Sequence, residues 1–165
     1  MLSGLIHFSK GSIVTASTTP VAVTLTPRTA LAIRVVGWLA IVAGILMIAA
    51  GGTAWGLVSS ELAAERIIVA DDAALLPGMP VTGPFTAYAE AEVISEHALE
   101  ASEGSTYAEL DREDPVRATV MNASFLRASL FTSVVAFGVA ALVIGLGLFL
   151  GVLGWVLTRL SPRDS

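Results

Sequence analysis

Two long apolar stretches of the chain contain no charged side chain. Residues 35–58 read VVGWLAIVAGILMIAAGGTAWGLV, and residues 128–158 form a second uncharged run between Arg127 and Arg159. About 20 apolar residues in a helix already cross the hydrocarbon core of a bilayer. The pattern therefore predicts two transmembrane helices, 35–58 and 128–158, which together form a hairpin.

The tryptophan positions agree with these limits. Trp38 and Trp55 lie near the two ends of the first run, and Trp155 lies near the end of the second. Amphipathic indole rings prefer the headgroup region of a bilayer. The 17 residues from Trp38 to Trp55 extend ~25 Å along a helix axis, which is close to the thickness to be crossed.

The segment between the two runs, residues 59–127, is polar and acidic. It holds thirteen Asp and Glu residues against four Arg, whereas residues 1–58 hold no acidic residue. The whole chain is 55% hydrophobic and only 14% charged, outside the range of soluble domains. The charge is therefore concentrated in one segment of an otherwise apolar chain, as expected for a loop between two membrane spans.

Within residues 59–127 the sequence predicts helices near 84–103 and 115–127. A proline begins each of them, and a glycine follows the first, which suits the first turn and the carboxyl-terminal cap of a helix. Thr106 and Glu109, which lie between them, have the spacing of a capping box.

The predicted helix 84–103 has two different faces. Its apolar and acidic residues recur at spacings of three and four, which places each set along one side of a helix. The apolar face consists of Ala87, Ala91, Ile94, Ala98 and Ala101, and the glutamate row consists of Glu92, Glu96, Glu100 and Glu103. The pattern favours a docking helix with a solvated acidic side; the alternative is a row that binds cations or a basic partner.

Side chains that could carry chemistry are sparse. The absence of cysteine excludes disulfides, thiolate metal sites and cysteine nucleophiles. Neither apolar run contains the ionisable side chain that a proton or ion path requires. A di-iron helix supplies Glu-x-x-His, but Ile94 lies three residues before His97. We therefore predict no catalytic, cofactor-binding or metal-binding residue, no cofactor and no enzymatic activity.

The orientation follows from the basic residues. Lys and Arg close to the two runs are equally numerous on both sides, but the first helix usually dominates, and Arg34 directly precedes it. We expect residues 1–34 to be a disordered cytoplasmic tail and 159–165 a short cytoplasmic tail, so that residues 59–127 are extracytoplasmic. A cleaved signal peptide is the competing reading, but the apolar run is longer than a signal sequence requires.

Small residues recur at helical spacing in both runs. The pairs are Gly52 with Gly56 and Ala40 with Gly44 in the first run, and the second run has Gly147, Gly151 and Gly154. In lipid, such residues let helices approach closely, which is a main source of helix association. They predict packing between the two helices or against another subunit.

The sequence thus predicts an all-α membrane protein of the plasma membrane, a two-transmembrane-helix hairpin with a small helical extracytoplasmic cap. We expect a non-catalytic structural or accessory subunit. Its expected partners are the lipid bilayer and a second membrane protein or further copies of the chain, not nucleic acid. The alternative is a module of the cell envelope that binds cations or a basic partner.

Three stretches resemble, as a set and in order, a family of small two-span membrane proteins from actinobacteria. They are SSELAAERIIVADDA, GPFTAYAEAEVISEHALEASEGSTYAELDREDP and RATVMNASFLRASLFTS. Members of that family are often called aromatic ring-opening dioxygenases. An extradiol Fe(II) site needs two histidines and a carboxylate, but His7 and His97 lie on opposite sides of the membrane in the predicted topology. The resemblance implies location and architecture, and it assigns no activity to any residue.

Overall fold

The computed structural model describes residues 27–160, and these form three α-helices. They are α1 (Pro27–Ala64), α2 (Pro84–Ala101) and α3 (Arg117–Leu160). The described residues contain no β-strand, only an isolated antiparallel bridge between Ile68 and Pro80. Both α1 and α3 are long and apolar enough to cross a membrane. The prediction of an all-helical chain with two such helices is confirmed.

The helices extend beyond the predicted spans. α1 begins at Pro27, so residues 27–34 are helical and do not belong to the predicted disordered tail. The physical reason is that proline fits the first turn of a helix and good helix-forming residues follow it. The rest of that tail, and most of the predicted tail 159–165, lie outside the described residues. α3 is continuous over 44 residues, or ~66 Å, about twice the hydrocarbon thickness.

α2 ends two residues before the predicted limit. Its last helical residue is Ala101, and Glu103 and Gly104 have positive φ angles of 54° and 87°. This left-handed backbone is the usual way in which a helix terminates. Glu103 therefore lies outside the helix and is not aligned with the other glutamates of the row.

α1 and α3 pack antiparallel through six small residues, which we call the small-residue interface. They are Gly37, Gly44 and Gly51 on α1, and Ala140, Gly147 and Gly154 on α3; all six are buried. A Cβ atom added at Gly147 would lie 2.7 Å from the carbonyl oxygen of Gly44, and one at Gly51 would lie 2.9 Å from that of Ala140. A larger side chain does not fit without separating the helices.

The small-residue interface repeats every seven residues on both helices. Such a period corresponds to 3.5 residues per turn and keeps one stripe of each helix against its neighbour when the pair supercoils to the left. Of the small residues predicted to mediate packing, Gly44, Gly147 and Gly154 belong to this interface. Gly52 and Gly56 do not, since a Cβ atom at either position has no neighbour within 4 Å.

The contact between α1 and α3 changes in character at the end from which the chain leaves α1. Large side chains replace glycine there: Leu62 and Phe137 are buried. The ring of Trp55 meets Phe137 edge to face, with ring centroids 4.7 Å apart. This favourable aromatic geometry continues the contact between α1 and α3 into the region where the rest of the chain packs.

The connecting segment, residues 65–116, packs on α3 and on the end of α1. Its core contains the buried residues Val69, Ala73, Val81, Ala87, Ala89, Ala91 and Val93, together with Leu62 of α1 and Leu130 of α3. Of the predicted apolar face of α2, Ala87 and Ala91 are buried and Ala101 is exposed. Ala89 and Val93, which lie outside that face, are buried as well, so α2 is covered on two sides.

We expect replacement of Gly147 by leucine to weaken the pairing of α1 and α3. The side chain would meet the backbone of Gly44 and Ile48, and overpacking of this kind costs about 1–3 kcal/mol. The measurement is thermal unfolding of the purified protein in mild detergent, followed by circular dichroism. The matched control is Gly145→Leu on the same helix, where an added Cβ meets no atom within 4 Å. Equal stability of the two variants would contradict the packing described here.

Candidate functional site

Residues 67–81 form a short hairpin at the start of the connecting segment. The amide of Val69 donates to the carbonyl of Met79, and the amide of Gly78 donates back to Val69, both at 2.9 Å. Leu76 and Gly78 take positive φ angles at the turn. Three consecutive β-branched residues at 67–69 are typical of such extended backbone.

Two polar contacts fix this hairpin to the helices. The half-buried Glu90 of α2 accepts a hydrogen bond from the amide of Ala70 at 3.0 Å, and the hydroxyl of Ser59 on α1 donates to the carbonyl of Thr82 at 2.6 Å. Even a partly buried amide such as that of Ala70 is costly to leave without an acceptor. Glu90 therefore has a structural role, which the sequence pattern did not distinguish from that of the other glutamates.

The side chain of Thr86, in the first turn of α2, caps the start of that helix. The hydroxyl oxygen of Thr86 accepts hydrogen bonds from the amides of Thr82 and Gly83, each at 3.2 Å. The capping-box spacing of Thr106 and Glu109 is also used: Oε2 of Glu109 accepts from the amide of Thr106 at 2.7 Å and from its hydroxyl at 2.8 Å. These bonds hold the pKa of Glu109 below its usual value.

His97 forms an exposed ion pair with Asp72. Its Nε2 lies 2.7 Å from Oδ2 of Asp72, and the two side chains are 51% and 65% exposed. The hydrogen bond, and then the charge of the carboxylate, raise the pKa of His97; the same hydrogen bond lowers the pKa of Asp72. The pair ties the hairpin loop to α2, and the nearby charges of Glu100 and Glu90 add smaller effects that also raise the pKa of His97.

The predicted glutamate row is divided in the structure. Oε1 of Glu92 lies 4.0 Å from Nη2 of Arg127 on α3, while Glu96 and Glu100 are exposed and Glu103 lies beyond the helix end. Residues 27–160 contain no group of three or more His, Cys, Asp or Glu side chains that could hold a metal ion. Glu96 and Glu100 therefore form the exposed acidic part of the row.

A small cleft lies between α2, the following loop and α3. Its volume is about 130 Å³, and its polar lining includes Ser95, Thr106, Tyr107, Ser124 and Arg127. A hydrolytic or group-transfer site needs a nucleophile beside a base that a third group orients. The lining contains no histidine or carboxylate to act as that base, so the cleft lacks this arrangement.

His7, the other histidine of the chain, lies outside the described residues.

Comparisons with family models, curated proteins and solved structures found no match to this chain. The resemblance to the actinobacterial family stays a prediction.

The His97–Asp72 pair makes stability depend on pH in a defined direction. A raised pKa in the folded protein means that the contribution of His97 is complete below its unfolded value of about 6.5 and is lost as the pH rises through the folded value. The pKa of Asp72 is lowered in the folded protein, so the contribution of Asp72 is lost as the pH falls through its folded pKa. The stabilisation by the pair is therefore complete between the unfolded pKa values of the two groups, 3.8 for Asp72 and 6.5 for His97, and it declines on either side.

We expect Asp72→Asn to return the pKa of His97 towards its usual value. The measurement is a nuclear magnetic resonance titration of the full-length protein with His7→Gln, which leaves a single histidine ring. Asp71→Asn is the control, because it removes the neighbouring carboxylate and keeps the pair. An identical pKa of His97 in both variants would show that the pair does not form.

Proposed function

We propose that the chain is a two-span protein of the plasma membrane that acts as a non-catalytic structural or accessory subunit. α1 and α3 form the membrane hairpin, and the connecting segment lies on the extracytoplasmic side as a small helical cap. Both termini are cytoplasmic. The protein acts through helix packing inside the bilayer and through the acidic surface of its cap.

The observation that carries this proposal is the apolar outer surface of the helix pair. Each helix uses one narrow stripe for the small-residue interface, and the remaining surface is exposed and apolar, as at Leu46 (65% exposed) and Phe149 (63% exposed). Soluble monomers rarely expose continuous apolar patches larger than a few hundred Å². A lipid environment removes this cost, because the bilayer core is as apolar as these side chains.

The polar groups of the two spans support a role without chemistry. Thr53, Thr132 and Ser133 donate their hydroxyl hydrogens to carbonyl oxygens four residues earlier in their own helix. No charged side chain occurs at 35–58 or 128–158. Proton relays and ion paths depend on intramembrane ionisable groups, so the spans are suited to packing and not to transport.

A second packing face is consistent with an accessory subunit. Gly52 and Gly56 lie on α1 away from α3, and their Cβ positions are open. Glycines four residues apart permit close approach of another helix in a membrane. This face supports the proposal that the hairpin joins a larger membrane assembly.

The topology is tested with single cysteines, because the natural chain has none. In intact cells, Ser105→Cys should react with a membrane-impermeant thiol reagent, whereas Ser165→Cys should react only after permeabilisation. The reverse pattern would overturn the orientation. Release of the protein from membranes by alkaline carbonate would overturn the membrane assignment itself.

The subunit role is tested by purification from mild detergent. We expect a partner protein, or further copies of the chain, in fixed stoichiometry, and we expect Gly52→Leu with Gly56→Leu to reduce that association because leucine prevents close approach. Ala43→Leu, at an exposed position on another side of α1, is the control. Mass spectrometry of the purified material identifies the partner. A monomer in every preparation would contradict the subunit role.

A further inference from the structure

A groove of about 380 Å³ runs between α1 and α3 at the end of the pair next to the connecting segment. On α1 it is lined by Leu57, Glu61 and Glu65, among others, and on α3 by Thr132, Ser133 and Ala136. The groove is open along one flank of the helix pair. It is separate from the small-residue interface and from the 67–81 hairpin.

The polarity of the lining changes along the groove. Leu57 and Ala136 lie at the end nearer the bilayer centre, and Glu65 and Ser129 lie at the other end. The eight residues from Leu57 to Glu65 extend ~12 Å along the helix axis. The groove therefore presents an apolar floor that ends in carboxylates, which matches the shape of an amphiphile with its chain in the membrane.

The polar groups of the groove are almost entirely hydrogen-bond acceptors. The hydroxyls of Thr132 and Ser133 already donate to the carbonyls of Ala128 and Ser129, at 2.8 and 3.2 Å, so only their lone pairs remain. Ionised carboxylates accept and do not donate. No Lys, Arg or His lines the groove. Such a lining fits a cation that carries several N–H donors and disfavours an anionic headgroup.

Within residues 27–160, the two carboxylates of the groove have no basic partner. Glu61 and Glu65 lie four residues apart on α1, a spacing at which like charges repel. The ion pairs found within residues 27–160 involve His97 with Asp72 and Arg127 with Glu92, and neither includes Glu61 or Glu65. A cation held between these carboxylates relieves their repulsion.

We propose that this groove binds a membrane amphiphile with a primary-ammonium headgroup, and this inference rests on the proposed membrane insertion of α1 and α3. The ammonium group lies between Glu61 and Glu65, where its three N–H groups meet carboxylate and hydroxyl oxygens. The chain lies over Leu57 and Ala136. Glu61 is three residues beyond the predicted span, or ~5 Å along the axis, which is within the headgroup region.

The test is a calorimetric titration of dodecylammonium into the full-length protein in dodecyl maltoside micelles, with empty micelles as the reference. Because charge-assisted hydrogen bonds carry the recognition, we expect Glu61→Gln with Glu65→Gln to weaken binding about tenfold or more. The control, Glu96→Gln with Glu100→Gln, makes the same change in net charge on α2 and should bind like the natural chain. Dodecyltrimethylammonium, which has the charge without N–H donors, should bind more weakly.

A second variant tests whether binding of dodecylammonium depends on the shape of the groove and not only on its negative charge. Ala136→Leu fills the apolar floor and keeps both carboxylates, so it should also weaken binding of dodecylammonium. Equal affinity of the natural chain and the Glu61→Gln, Glu65→Gln variant would overturn the proposal. The proposal would also be overturned if the natural chain did not bind dodecylammonium and a basic helix of a copurified protein were crosslinked to Thr132→Cys instead. Neither result depends on the carbonate wash that tests membrane insertion.

Discussion

The close approach of α1 and α3 is the constraint on which the rest of the structure depends. Glycine or alanine at every seventh position allows the backbones to touch, as at Gly44 and Gly147, where an added Cβ would overlap the opposite carbonyl. In the bilayer environment proposed for these helices the hydrophobic effect does not drive them together, so van der Waals contact over such a narrow stripe supplies the association. The rest of each helix surface remains apolar and outward-facing.

This pairing also decides where the connecting segment packs. The small-residue interface ends at Gly51 and Ala140. Beyond it, the large side chains of Leu62, Leu130 and Phe137 form the surface on which the 67–81 hairpin and α2 pack. The buried apolar side chains that the segment itself supplies to the core are alanines and valines, and domains of this size are marginal when they stand alone. Its fold therefore depends on the ends of α1 and α3, together with the capping and side-chain bonds of Thr86, Glu90 and Glu109.

Charged residues are distributed unevenly between the apolar helices and the polar segment that connects them. The two apolar runs contain no ionisable side chain, whereas the polar segment 59–127 contains thirteen Asp and Glu residues. Within it the acids have different roles: Glu90 holds the hairpin, Asp72 pairs with His97, and Glu109 caps a turn. Glu61 and Glu65 stand apart from these, because they lie beside an apolar groove between the long helices.

Local sequence patterns are enough to predict the two long apolar helices, the position of α2 and the burial of Ala87 and Ala91. These features depend on local composition and on helical period, which a single chain displays directly. Only the packing of α3 against α1 determines which glycines meet. Spacings of three and four indicate Gly52 and Gly56, which are open, as readily as Gly44, Gly147 and Gly154, which lie in the interface. The spacing of seven that includes Gly37 and Gly51 has meaning only once α3 lies alongside. The burial of Ala89 and Val93 likewise depends on tertiary structure, because the hairpin covers a second side of α2. The pairing of Asp72 with His97 joins residues 25 positions apart, and no local pattern specifies which carboxylate the folded chain brings to that ring.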